Sequence, residues 1–291
     1  EAIKRQAELG LIDPTRPAHP PTYKAGWGSL TPAQRQTAAR DMEIYAAMID
    51  RLDQNVGRVI AELKRQGVYD NTVILFTADN GAEGMDLETT QIRGMKERLA
   101  GADNSLANRG NAGSYVAYGP NWAQAATAPS WQYKAYATEG GTRAVAFIHY
   151  PGLQRQGAIA PVFGSVMDVA PTFLDLAGIA DPQGQFAGRQ VEPIRGKSWA
   201  AYLAGKAERV YAPGDAVGTE LFGSRAIRQG DWKITDLGDG QWHLFNLADD
   251  PGETRDLSQD QPARLAQLVA QWDAYAQEVG VILPDQRVYA P

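Results

Sequence analysis

Asp79 and Asn80 are the residues whose types and position most directly invite chemistry. They follow an apolar run, VILFT, and in open α/β sheets ligands collect beyond the carboxyl ends of such strands. A carboxylate and an amide oxygen are hard donors, suited to Ca²⁺ or Mg²⁺ rather than to a thiolate-loving metal. Gly81, next in line, allows the backbone to turn sharply away from an ion. The same Asp-Asn-Gly triplet is also an ordinary turn. A calcium ion takes about 6 to 8 oxygens, so neighbouring acids or another segment must complete any shell that these two residues begin.

Lys134 is the second candidate. It precedes Glu139, Gly140, Gly141 and Arg143 at the entrance to another apolar run. Its compact ammonium has three donors for a sulfate or phosphate oxygen, although a lysine in a loop is more commonly a solvated surface charge. Of the three histidines, His149 lies inside the apolar run and reads as a hydrogen-bonded core residue. His243 lies far along the chain and reads as structural, and His19, in a Pro-rich loop, is open. No Ser-His-Asp order, phosphate-binding glycine loop or dinucleotide fingerprint accompanies them. The residues alone define an α/β domain with a candidate oxyanion-ester site.

The elements that must position these residues are readable from periodicity. Residues 1–13 read as the tail of an amphipathic helix stopped at Gly10, a tail without a beginning that suggests truncation. Thr31 and Pro32 form an N-cap and first-turn pair. Met42, Tyr45, Ile49, Leu52, Val56, Val59, Ile60 and Leu63 then recur at three- and four-residue steps, predicting one buried stripe on a long helix down to Gly67. Residues 73–79 read as a strand covered on both faces. Residues 81–128 are polar and aperiodic, long for a connection and of the kind that carries function. Residues 144–150 read as a second strand, closed by Pro151 and Gly152. Residues 165–178 read as a helix in which Pro171 forces a restart or a kink. Beyond Pro213, short segments at 225–228, 232–235 and 242–247 predict an antiparallel meander. A last helix follows Pro262, with Leu265, Leu268, Val269, Trp272 and Val279 on one face.

Composition narrows the classes. The 291 residues carry 28 Lys and Arg against 34 Asp and Glu, a net charge of −6, with 44% hydrophobic residues and no cysteine. A globular chain is expected, and the absence of a basic field argues against a nucleic-acid partner. No apolar stretch approaches the roughly 20 residues of a membrane-spanning helix, so a membrane is not an expected partner. Without cysteine there are no disulfides, thiolate metal sites or thiol nucleophiles, which leaves the compartment undetermined.

Several motifs, taken together, resemble the sulfatase family. FTADNGAEG (76–84), YKAYATEGGTRAVAFIHYPG (133–152), MDVAPTFLDLAG (167–178), RGKSW (195–199), AIRQGDWK (226–233) and LFNLADDPGETRDL (244–257) occur in that family's order. Residues 103–135 further resemble the bacterial arylsulfatases. The resemblance implies an α/β, alkaline-phosphatase-like fold with a mostly parallel sheet flanked by helices, incomplete at its N-terminal side. Residues 1–212 would belong to that catalytic domain. Residues 213–291 would form a small domain with a four-stranded antiparallel sheet and a helix.

The resemblance also implies roles. Asp79 and Asn80 would bind Ca²⁺, with Mg²⁺ as the alternative ion, and Lys134 would contact the sulfate group. The family's formylglycine nucleophile, made within Cys/Ser-x-Pro-x-Arg, has no counterpart in this sequence, nor have two further Asp ligands, a Lys-x-His pair and another His. The expectation is therefore the C-terminal part of a sulfuric ester hydrolase, inactive alone, with the N-terminal half as partner and a small sulfate ester as substrate. In the complete enzyme a hydrated aldehyde would attack sulfur. The alternatives are a phosphonate or phosphate monoester hydrolase of the same superfamily and a non-catalytic half-domain that serves as a binding module. An incomplete sheet also predicts an unpaired edge and uncovered apolar surface near residues 73–77.

Overall fold

Thr31 starts the longest element by satisfying donors that a helix leaves orphaned. Its hydroxyl accepts from Gln34 N at 3.3 Å, and the Gln34 side chain accepts from Thr31 N at 2.9 Å, a reciprocal cap. In the computed structural model, which describes residues 2–22, 26–87, 89–90, 92–150 and 152–285, the chain opens with α1 (Ala2–Glu8). The capped helix α2 (Pro32–Arg65) follows, stopped at Gly67 with φ +71°. Glu1 and Pro151, parts of two of the expected elements, lie outside the described residues.

The stripe predicted to be buried on α2 is only partly covered. Ile49, Leu52 and Val59 are 46%, 42% and 59% exposed, while Met42, Tyr45, Val56, Ile60 and Leu63 are half-buried; Met48, beside the stripe, is 66% exposed. Only Asp41 is buried on this helix. Loops cover part of α2 through both ring contact, Tyr45 against Tyr118 at 4.9 Å, and polar bonds. Arg109 grips Asp41 through two bonds of 2.5 and 2.9 Å, and Trp122 Nε1 donates to Ala38 O at 2.9 Å.

β1 (Ile74–Thr77) carries the candidate acid pair at its end. The aperiodic stretch after it contains two short helices, α3 (Met95–Ala100) and α4 (Gly119–Thr127), of six and nine residues. They are too brief for a 3.6-residue period to register in the sequence. α5 (Glu139–Thr142) is a single turn, followed by β2 (Ala146–His149).

β1 and β2 pair antiparallel, Ile74 opposite His149 and Thr77 opposite Ala146, in a two-stranded sheet. The α/β class holds. The parallel pairing expected of the larger sheet, however, is not made by these two strands. Nor are they covered on both faces, because no described element packs over the whole ribbon. Val145 is 67% and Phe147 46% exposed.

The predicted helix at 165–178 divides into a 3₁₀ turn (Val166–Asp168) and α6 (Val169–Leu176). Pro171 falls in the first turn of α6, where its missing N–H is not needed, so the reading of a restart is the correct one. A small hairpin, β3 (Gln185–Phe186) with β4 (Arg189–Gln190), and α7 (Ala200–Leu203) lead onward.

The meander is as expected: β5 (Ala216–Leu221), β6 (Ser224–Gln229), β7 (Trp232–Asp236) and β8 (His243–Asn246) form a four-stranded antiparallel sheet in that order. Phe222 and Gly223, both at positive φ, make the tight β5–β6 turn. α8 (Pro262–Val279) packs on this sheet, and Leu268 and Trp272 join Ile227, Ile234 and Leu244 in its core. Tyr275 lies so close to β5 that a Cβ on Gly218 would stand 2.3 Å from its ring.

Candidate active site

Ala78 N donates to Val145 O at 3.0 Å, which extends the ribbon one step beyond β1 and delivers Asp79 and Asn80 at its mouth. Asp79 is exposed, and its carboxylate makes no hydrogen bond or ion pair among the described residues. Asn80 is half-buried. Its Nδ2 donates to Gly81 O at 2.8 Å, so the amide nitrogen is engaged by backbone and Oδ1 is left for another partner.

Gly81 has a role that the sequence suggested for a different reason. Its φ is not in the left-handed region, so turning is not what requires glycine here. Close approach is: Gly81 N donates to Gly141 O at 2.9 Å, and a Cβ on Gly81 would stand 1.8 Å from Gly140 O. Gly140 and Gly141 are equally confined, their own Cβ atoms falling 2.0 Å from Gln132 O and from Tyr136 O. The loop after β1 and the single turn of α5 therefore touch backbone to backbone.

Lys134 joins the same loop. Its backbone N donates to Ala82 O at 3.0 Å, three residues beyond Asp79, and its Nζ meets Glu83 Oε2 at 2.8 Å. Both side chains of this pair are about two-fifths exposed (41% and 43%). Glu83 was not singled out by type or spacing. Its only signal was its place in FTADNGAEG, four residues after Asp79.

Tyr118 stands near this pair. Burial, with the neighbouring Tyr45 and Glu83, pushes its hydroxyl up to about 12, so it is a neutral donor throughout the physiological range.

Beneath the loop is a buried charge cluster that sequence reasoning did not assemble. Lys233 Nζ lies 2.9 Å from Glu139 Oε1 and 2.9 Å from Glu253 Oε1. The first contact is a hydrogen bond. The second is an ion-pair contact without hydrogen-bond geometry. Glu139 N donates to Glu253 Oε2 at 2.8 Å. Burial opposes charge on all three side chains. For Glu139 the cations Lys233, Arg228 and Arg143 outweigh it and hold the carboxyl below its usual range. For Glu253 burial wins, helped by the negative Glu139 and opposed by Lys233, and pushes the carboxyl up to about 7. The two carboxylates overcome the burial of Lys233 and raise its pKa. One member comes from α5, one from β7 and one from the loop after β8, and no sequence spacing links them.

The histidines do not enter this site. His149 Nε2 lies 2.6 Å from the Tyr69 hydroxyl with the rings stacked, in keeping with a bonded structural residue. His243 Nδ1 is 2.9 Å from Asp256 Oδ2. His19 Nδ1 lies 2.8 Å from Pro20 O and its ring stacks on Trp131, and burial lowers its pKa, which keeps it neutral at pH 7.

Asp79 and Asn80 suit a hard cation in kind but not in number. Among the described residues, no group of three His, Cys, Asp or Glu side chains stands ready to hold a metal. Two surface hollows, of about 610 and 680 Å³, lie elsewhere, one against Met167, Arg195 and Glu278 and the other against Trp232, Asp250 and Arg255.

The fold, an α/β portion with a four-stranded antiparallel sheet and a packed helix, is similar to that of solved sulfatases. A 2-O GAG sulfatase superposes with a TM-score of 0.53 at 19% identity, covering 96% of this chain and 58% of that one. A protein solved with its substrate D-glucosamine-2-N,6-O-disulfate gives 0.53 at 19%, covering 80% and 40%.

The chain belongs to the sulfatase family, whose model, described as Sulfatase, matches residues 14–179. An uncharacterized sulfatase of Schizosaccharomyces pombe is 42% identical over 294 residues, 98% of this chain and 53% of that protein. An arylsulfatase of Klebsiella aerogenes is 37% identical over 210 residues, 71% of this chain and 44% of that protein. The chain thus spans about half the length of these relatives.

Proposed function

We propose that these residues form the C-terminal part of a calcium-dependent, arylsulfatase-like sulfuric ester hydrolase, with Mg²⁺ as the alternative ion. The observation that carries this reading is that Lys134 and the Asp79-Asn80 pair share one loop contact, tied by the bond from Lys134 N to Ala82 O. Asp79 Oδ and Asn80 Oδ1 would supply two oxygens to the cation, and Lys134 Nζ would donate to a sulfate oxygen. When bound, the cation supplies positive charge to offset that of the transferred sulfuryl group.

The contribution of this chain is positioning and electrostatics. Lys134, held by Glu83, presents an ammonium whose charge is worth most where charge grows in the transition state. The Glu83 carboxylate orients that ammonium through the 2.8 Å contact. With no cysteine and no Cys/Ser-x-Pro-x-Arg in these 291 residues, the nucleophile and the remaining ligands come from an N-terminal half. The exposed apolar residues of α2 and β2 support packing of such a half against this chain.

The reading is tested by expressing the chain together with the coding sequence upstream of Glu1 and assaying an aryl sulfate beside the matching aryl phosphate. Preferential sulfate hydrolysis is expected, lost in the 291-residue chain alone. Lys134→Ala is expected to lower kcat by roughly 10²–10³-fold, the cost of removing one preorganised donor. A continuous upstream frame lacking Cys/Ser-x-Pro-x-Arg, or turnover of phosphate but not sulfate, overturns it.

A further inference from the structure

The buried cluster lies between two parts of the chain that the sequence reads as separate domains. Lys233 is 3% exposed, Glu253 2% and Glu139 8%. Each has its charge answered within the cluster, and Arg228 adds a second cation 3.9 Å from Glu139 Oε2. Burying three ionisable groups is costly, so a cluster of this kind is weak as a source of stability and strong as a device that fixes geometry. What it fixes is α5. Glu139 is the first residue of that turn, held through its side chain by β7 and through its backbone N–H by Glu253.

The next two residues, Gly140 and Gly141, carry this placement to the candidate site. Gly140 N donates to Trp131 O at 2.9 Å, and Gly141 O receives Gly81 N at 2.9 Å. No side chain intervenes and none would fit, so a shift of α5 moves Gly81 directly. Gly81 is bonded in sequence to Asn80, and Ala82 receives Lys134 N. Metal pair and anion-binding lysine therefore both rest on one backbone contact whose far side is set by Lys233.

We infer that Lys233, Glu253 and Glu139 are positioning residues, a strut through which the small sheet sets the separation of Asp79 and Asn80 from Lys134. Their function in catalysis rests on the sulfuric ester hydrolase reading, whereas the mechanical link does not. The small sheet is then a working part of the site, although it contributes no group that touches the substrate.

Glu253→Gln separates this role from general support. The amide keeps the volume of the side chain but cannot accept on both of its outer atoms. One of the two contacts, to Lys233 or to Glu139 N, must then face a donor with a donor. Amide hydrogen exchange followed by NMR in the 291-residue chain at pH 8 is expected to show Gly81 and Lys134 exchanging at least tenfold faster. Their amide shifts should move, while interior amides of α2 and α8 stay as in the native chain. Lys233→Arg, which keeps a cation between the carboxylates, is expected to retain the native pattern.

Unchanged exchange at Gly81 and Lys134 in Glu253→Gln overturns the inference. So does a uniform acceleration across α2 and α8, which would make the cluster a general support. In the longer protein, Glu253→Gln is expected to lower kcat for an aryl sulfate at least tenfold with a smaller change in KM. If the native protein hydrolyses no aryl sulfate, the functional reading fails while the exchange result stands on its own.

Discussion

Glu253 is a carboxyl whose burial and like-charged neighbour favour its protonated form, and its consequence is a pH-dependent stability. Its pKa rises from an ordinary 4.5 to about 7 in the fold. A raised carboxyl means that the folded chain holds its proton more tightly than the unfolded chain. The stability it contributes is therefore full below about pH 4.5 and is lost as pH rises through about 7. The loss is on the order of 3 kcal/mol for a shift of this size. Glu139, held low, acts only at more acid pH, and His19, whose pKa burial lowers, loses stability as pH falls below its ordinary range. The expected readout is thus the difference between variant and native chain. Urea midpoints at pH 5 and pH 7.5 should show Glu253→Gln removing most of the decline assigned to this residue. An identical pH dependence in both proteins would show that Glu253 titrates normally.

Among the elements, the contact between the β1 loop and α5 is the tightest at the site. Gly81→Ala would set a methyl 1.8 Å from a backbone oxygen, with no flexible side chain able to yield. The two segments must part, at a cost of about 1–3 kcal/mol for an overpacked position. Urea unfolding is expected to register that loss, and the Lys134 amide should lose protection with it because its acceptor is the next residue, Ala82. A Gly81→Ala chain with native stability and native Lys134 exchange would mean that the loop has room this contact denies. Elements of long period were legible beforehand: α2, α8 and the meander all followed from spacing. α3, α4 and α5 were not, being held by tertiary bonds and too short to show a repeat.

For the whole molecule, the apolar surface on α2 and the β1–β2 ribbon is the feature with physical consequences. Met48, Ile49, Leu52 and Val59 stand in water on α2, Val145 and Phe147 at the ribbon, and both strands of the ribbon have a free edge among the described residues. Such surfaces associate. The 291-residue chain is expected to sediment as a concentration-dependent mixture and to bind a hydrophobic dye. Co-expression with the upstream coding segment is expected to suppress both. A chain that remains monomeric at high micromolar concentration without dye binding would contradict the proposed N-terminal partner.

The sequence by itself determined what depends on short range and on residue type. The cap at Thr31, the strand before Asp79, the small sheet with its helix, and the hard-ligand character of Asp79 and Asn80 all come from local spacing or local chemistry. The family resemblance came from motifs in their order along the chain. Only the tertiary structure decided which residues meet across long separations: Glu83 with Lys134, Gly81 with Gly141, and Lys233 with Glu139 and Glu253, the last pairings bridging up to 114 residues. It also decided that the α2 stripe is only partly covered. Periodicity states which side of a helix is apolar, but what covers that side depends on the packing of other elements, which no local pattern encodes.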